Sequence, residues 1–131
     1  MPAYDHAMSF AVDRVVPILR IFDRDRAHEF YVDYLGCTVD WTHSVDDEGP
    51  TYTQVSRGDL VLHLSEHHGD GTPGTVVYVG ARGVRELHAE LAAKDYPFLH
   101  PGLEPSPGDE GGACITLLDP FGNTLRLDER R

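Results

Sequence analysis

Three histidines near the middle of the chain, His63, His67 and His68, are the side chains most suited to chemistry. An imidazole can bind a divalent metal, and it can also transfer protons near neutral pH. However, the spacing of the three residues is that of a strand end followed by a loop, and it matches no known zinc pattern. His63 is therefore only a weak candidate for a metal ligand. The alternative is a polar histidine in a cleft or on the surface.

The cysteines and the remaining acid–base groups indicate no nucleophilic catalysis. Cys37 and Cys114 lie in apolar, strand-like runs, without a cation nearby in sequence that would favour a thiolate. We therefore expect two free, buried thiols rather than a disulfide. His100 and Glu104 could act as an acid–base pair, but nothing in their spacing requires it.

The net charge narrows the classes of partner. The 131 residues include 22 acidic and 11 basic ones, and the formal net charge is −11. This excess disfavours nucleic acid and anionic membranes as partners, and it permits the attraction of a cation. A role in solubility alone is the alternative. Because the sequence shows no apolar run long enough to span a bilayer and no signal peptide, we expect a cytoplasmic protein.

The elements that must position these groups occur twice along the chain. Apolar patterns predict a strand, a helix and three strands over 14–66, then a linker rich in Gly, Pro and Asp over 67–74. The same order follows over 75–129. We therefore expect an α+β domain in which two βαβββ units form a cleft-bearing sheet.

Local patterns add detail to the first unit. A helix is predicted between Asp23, a suitable N-cap, and Gly36, a suitable residue after a helix end. Its apolar positions have helical spacing, and they are Ala27, Phe30, Tyr31, Tyr34 and Leu35. In the strand over 37–44, alternation places Val39 and Trp41 on the same face. His63 faces away from the leucines of its own strand.

The second unit is predicted to contain a strand over 96–99 and to end in a β-hairpin. The hairpin turn is Asp119-Pro-Phe-Gly-Asn123, in which Pro120 presets φ and Gly122 tolerates a positive φ. The carboxylate of Asp119 can accept hydrogen bonds from the turn backbone. In the strand that follows, Arg126 points away from the core.

Three stretches resemble the vicinal oxygen chelate superfamily: Val16-Pro-Ile-Leu19, Phe30-Tyr-Val-Asp-Tyr-Leu-Gly36 and Asp119-Pro-Phe-Gly-Asn123. That superfamily contains glyoxalase I, extradiol dioxygenases, fosfomycin-modifying enzymes and bleomycin resistance proteins. The resemblance covers about residues 14–129 and implies the paired βαβββ fold.

The enzymes of this superfamily hold a divalent metal with the first and last strand of each unit. By resemblance, the corresponding positions are Val16 or Pro17, His63, Thr75 and Arg126. Only His63 is a good donor, because Arg126 is a permanent cation and Thr75 is a weak neutral ligand. The resemblance therefore implies a protein without a metal or another cofactor.

The Val16-Pro-Ile-Leu19 stretch, the acidic turn at 46–48 and the Gly-rich approach to Asp119-Pro120 resemble the bleomycin resistance branch. Proteins of that branch pair two subunits and sequester a cationic glycopeptide, whose bithiazole stacks on aromatic rings. The resemblance implies a metal-independent homodimer that binds a bleomycin-type drug. The implied ligand-binding residues are the aromatic residues Trp41, Tyr52, Tyr78 and Phe98, the carboxylates Asp46, Asp47, Glu48, Asp109 and Glu110, and the repeat-related pair His63 and Arg126.

Two alternatives remain open. A metal-dependent lyase or dioxygenase of the same superfamily would combine His63 with ligands at other positions. A regulatory or accessory module would bind a different metabolite. Residues 1–13 show no clear period, and they are either a disordered tail or an arm that straps a partner subunit.

Overall fold

The chain folds into two four-stranded sheets that share one topology. The computed structural model describes residues 9–107 and 111–129. The first sheet contains β1 (Ile18–Arg20), β2 (Thr38–Ser44), β3 (Thr51–Arg57) and β4 (Leu60–Ser65), in the order β1-β4-β3-β2. In this sheet β1 is parallel to β4, and the other pairs are antiparallel.

The second sheet repeats this arrangement. It contains β5 (Val76–Ala81), β6 (Glu104–Pro105), β7 (Ala113–Leu118) and β8 (Thr124–Glu129), in the order β5-β8-β7-β6. Here β5 is parallel to β8, and α2 (Val84–Ala92) follows β5. The predicted α+β fold of two βαβββ units is confirmed.

The predicted helix of the first unit is present, but it changes type along its length. It starts as α1 (Arg24–His28) after Asp23, whose carboxylate accepts a hydrogen bond from a first-turn amide at 3.1 Å. It continues as a π-helical segment, Glu29–Tyr34. Tyr31 and Tyr34 are buried, as predicted. Over the described residues, no helix is long and apolar enough to cross a membrane.

The turn at Asp119 connects the two units. Its Oδ1 accepts hydrogen bonds from the amides of Phe121 and Asn123, both at 2.8 Å. Its Oδ2 accepts one from the Tyr31 hydroxyl at 2.6 Å and one from the Asn123 side-chain amide at 2.9 Å. Gly122 has a φ of +90°, which a glycine adopts without strain. The carboxylate thus holds its own turn and also the helical segment of the first unit.

A β-bulge in β2 makes one sequence prediction wrong. Val39 pairs with the core residue Val55, whereas Trp41 pairs with Gln54 on the other face of β3, and the register shifts between them. Because a bulge inserts one residue, it moves all later side chains to the opposite face. Val39 and Trp41 therefore lie on opposite faces, and Trp41 is on the face that carries no helix.

The strand predicted over 96–99 is also wrong. The edge strand of the second sheet is instead β6, which pairs with the start of β7. Pro97 has no amide to donate, which disfavours pairing at this point. Tyr96 stacks on Tyr34 with ring centroids 4.5 Å apart, so its side chain belongs to the aromatic core.

Candidate functional site

Three rings that lie far apart in sequence meet on the helix-free face of the first sheet. The rings of Trp41 and Tyr52 are nearly parallel, at 9°, with centroids 6.0 Å apart. The His63 ring lies 5.4 Å from Trp41 and 5.1 Å from Tyr52, edge-on to both. We call these three residues the aromatic patch. Since Trp41 is 42 % exposed, a ligand can reach the patch directly from solvent.

A chain of hydrogen bonds fixes the rings of the patch. The Gln54 side-chain amide donates to Asp40 Oδ2 at 3.0 Å, because a carboxylate can only accept. Gln54 Oε1 must therefore accept from His63 Nε2 at 3.0 Å, and it also accepts from Arg14 at 3.1 Å. His63 Nδ1 is left as an acceptor for the Tyr52 hydroxyl at 2.8 Å. The contacts thus assign a neutral His63 with its proton on Nε2.

The pKa values of two groups in this network, His63 and Asp40, are shifted. Burial, and secondarily the Arg14 cation, lower the pKa of His63. Hydrogen bonds from Gln54 and Ser56 lower the pKa of Asp40, so its carboxylate stays charged at neutral pH. Both shifts favour the protonation states that the hydrogen bonds require.

We expect His63 to titrate below the ordinary histidine pKa of 6.5. A pH titration that follows its ring resonances by NMR measures the midpoint. Arg14→Gln should raise the midpoint, because it removes the cation and keeps a donor toward Gln54. As the pH falls from 6.5 toward the lower folded-state pKa, the unfolded chain binds more protons, so this group reduces stability in that window. A midpoint at or above 6.5 would contradict the assigned network.

Two of the predicted ligand-binding residues, Tyr78 on β5 and Arg126 on β8, lie on the second sheet and are register partners. Tyr78 donates to Asp128 Oδ2 at 2.6 Å, and its ring lines a groove of about 1220 Å³ between the units. We call this the inter-unit groove. The charged residues along it are Arg14, Arg57, Asp59 and Arg82. His63 and Arg126 lie on different sheets, and the ring nitrogens of His63 contact Tyr52 and Gln54 instead.

The other predicted aromatic residue lies elsewhere. Phe98 is 69 % exposed and lines a separate groove with Tyr96, Leu118 and Pro120, among others. That groove contains no residue of the aromatic patch. The structure therefore brings together Trp41, Tyr52 and His63, but not Phe98.

Three of the five predicted carboxylates lie within the described residues. Asp46, Asp47 and Glu48 are exposed in the turn between β2 and β3, where Asp46 accepts a hydrogen bond from the Glu48 amide at 3.1 Å. This turn begins next to the strand pair that holds Tyr52. Asp109 and Glu110 lie outside the described residues.

Comparison with known proteins places the chain in a family. A family model described as a glyoxalase superfamily protein matches residues 5–131. The chain belongs to the glyoxalase superfamily. This superfamily includes bleomycin-binding proteins that are not enzymes as well as vicinal oxygen chelate enzymes. No curated protein matches this glyoxalase superfamily chain significantly by sequence.

Several solved structures share its fold. The bleomycin-binding protein from the bleomycin-producing Streptomyces verticillus, in complex with copper(II)-bleomycin, is 27% identical with a TM-score of 0.62, over 93% of this chain and 99% of that one. A bleomycin resistance determinant encoded on the transposon Tn5 is 23% identical with a TM-score of 0.67, over 92% and 99%. TioX from Micromonospora sp. ML1 is 16% identical with a TM-score of 0.69, over 92% and 100%.

The metal of the superfamily's enzymes does not fit the residues of this member. Both ring nitrogens of His63 already have protein partners, and Thr75 donates its hydroxyl to the Thr72 carbonyl at 2.9 Å. Arg126 has no lone pair to give. Across the part of the chain that the structure describes, no three His, Cys, Asp or Glu side chains are grouped to hold a metal ion. No chemical step is therefore assigned to a metal here.

Sequence reasoning missed three residues of the site in this superfamily member, namely Arg14, Asp40 and Gln54. Gln54 could have been found, because alternation along β3 places it on the same face as Tyr52. Asp40 was hidden, because only the bulge brings its carboxylate to the face of its neighbour Trp41. The contact of Arg14 joins residues 40 positions apart, and no local pattern signals it.

Proposed function

We propose that this protein binds a cationic, partly aromatic small molecule without transforming it, and that bleomycin-type glycopeptides are the leading candidate ligands. One observation carries the proposal: the ring of the exposed Trp41 lies parallel to that of the half-buried Tyr52. Flat heteroaromatic rings stack favourably on such a surface. The role would be resistance by stoichiometric sequestration.

The chemistry of the patch favours a cation. Both ring nitrogens of His63 form hydrogen bonds within the protein. Because the Tyr52 hydroxyl donates its proton to His63, the Tyr52 oxygen can only accept a hydrogen bond from a ligand. The patch therefore offers ring faces and one acceptor oxygen, that of Tyr52, which suit a ligand with donors and positive charge. The net charge of −11 acts in the same direction over a longer range.

The charge distribution also suggests how the ligand is oriented. The inter-unit groove is lined by three arginines against one aspartate. Among the described residues, Arg57 is the one arginine of the three that forms an ion pair, with Glu90 at 2.8 Å. A positive tail is therefore disfavoured in that groove. We propose that it extends toward the acidic turn at 46–48, beyond the Tyr52 end of the patch.

Titration of a bleomycin-type drug tests the proposal. Trp41 is the only tryptophan, so its fluorescence reports directly on the patch. We expect saturable binding that weakens with salt, and a smaller salt effect when Asp46, Asp47 and Glu48 are all changed to their amides. The drug should be recovered intact by mass spectrometry, with or without added divalent metal. Absence of binding, or chemical conversion of the drug, would contradict the proposal.

We also propose a homodimer. Val76 and Tyr78 on the edge strand β5 are large, exposed apolar side chains at an open sheet edge. Such surfaces favour association with a second copy of the chain, which would cover them. One chain has a mass of 14.6 kDa. Light scattering at micromolar concentration should give twice that mass. A monomer would contradict this. Of the tail or arm predicted over 1–13, residues 1–8 lie outside the described residues.

A further inference from the structure

A second cavity lies on the opposite side of the first sheet, between α1 and the edge strand β2. Its volume is about 130 Å³. We call it the helix-side cavity. Its floor consists of Ile21, Ala27, Val55 and Leu64, all of them buried. Val39 also lines it and is 40 % exposed, so the cavity opens to solvent beside this residue.

Most of the polar side chains around this cavity already contact a protein partner. The hydroxyls of Thr42 and Thr53 bond to each other at 3.2 Å. The Tyr31 hydroxyl is held by Asp119, and the Arg24 guanidinium lies 3.2 Å from Glu66. The fifth polar side chain, His28, is exposed and lies 3.8 Å from Asp33, which is too far for a hydrogen bond. The walls therefore have little hydrogen bonding to offer an occupant, and an ordered water needs about two to four polar partners.

We propose that the helix-side cavity binds one small, uncharged apolar molecule, of about the size of a benzene ring. Size supports this, since a dry apolar cavity of about 150 Å³ in another protein accommodates benzene. Chemistry supports it as well, because the buried floor of the cavity is apolar and offers a polar occupant no hydrogen bonds in exchange for water. The site is distinct from the aromatic patch, because the bulge sends Val39 and Trp41 to opposite faces of the sheet.

Benzene titration followed by methyl NMR tests the inference on the full-length chain. We expect saturable shifts of the methyl groups of Ala27, Val55 and Leu64, together with a rise in Tm that grows with benzene concentration. Val39→Phe places a ring at the opening and should abolish both effects. Val45→Phe is the matched control, because Val45 is an exposed valine outside the cavity, and it should bind benzene like the wild type.

Circular dichroism establishes that each variant is folded. If Val39→Phe is not folded, Val55→Leu serves in its place, because it adds one methylene from the floor and should weaken benzene binding. Non-saturable shifts in the wild type would overturn the inference. So would benzene binding by the folded Val39→Phe variant, or by Val55→Leu, with wild-type affinity.

Discussion

Asp119→Ala is expected to destabilise the fold by about 3–5 kcal/mol, which is a large share of the stability of a domain of this size. The carboxylate is buried and accepts four hydrogen bonds, two from backbone amides and two from side chains. Alanine would leave the Tyr31 hydroxyl and the Asn123 amide without this acceptor in the interior. Burial, with the nearby Asp119 charge, raises the pKa of Tyr31, so the hydroxyl remains a protonated donor.

Urea unfolding followed by circular dichroism measures this effect as a shift in midpoint at constant slope. Tyr31→Phe removes one donor and leaves the turn intact, so we expect a loss of about 1–2 kcal/mol. Asp47→Ala replaces an exposed carboxylate in another turn and should change stability by less than about 0.5 kcal/mol. If Asp119→Ala were no more destabilising than Asp47→Ala, the turn would not connect the units as described.

Trp41→Ala is expected to weaken binding of a bleomycin-type drug by about 30-fold or more, which corresponds to about 2 kcal/mol. The indole is the largest exposed ring of the aromatic patch, and its alignment with Tyr52 provides the stacking surface. Trp41→Phe should lose less, because a smaller ring remains. Isothermal calorimetry is the suitable measurement, since both variants lack the fluorescent residue.

Phe98→Ala is the matched control for this experiment. Phe98 is also an exposed ring, but it lines a different groove, so its loss should leave the affinity of the drug unchanged. Equal losses for Trp41→Ala and Phe98→Ala would place the ligand somewhere other than the patch. An unchanged affinity of Trp41→Ala would remove the stacking surface from the proposal.

The two βαβββ units, the final hairpin turn and the buried face of the first helix could be predicted from the sequence. These features depend on neighbours within a few positions of the chain. Pro120 and Gly122 restrict the backbone wherever the turn is placed, and helical spacing alone brings Tyr31 and Tyr34 to one side. Local residue patterns are therefore enough to predict these features.

The site depended on contacts between distant residues. The bulge in β2 results from the pairing of two strands, and it decides that Trp41 joins Tyr52 while Val39 faces the helix. A strand over 96–99 was a reasonable local prediction, but packing of Tyr96 on Tyr34 outweighed it.

Hydrophobic period and turn chemistry act locally, so the amino-acid sequence is enough to predict which elements form and in which order. The support that Asp119 gives to the opposite unit depends on the three-dimensional fold. So does the position of the proton on His63, which Arg14, Gln54 and Asp40 set. These hydrogen bonds are made between residues that the chain brings together only when its sheets have paired. Their donors and acceptors cannot be matched before the strand register is known.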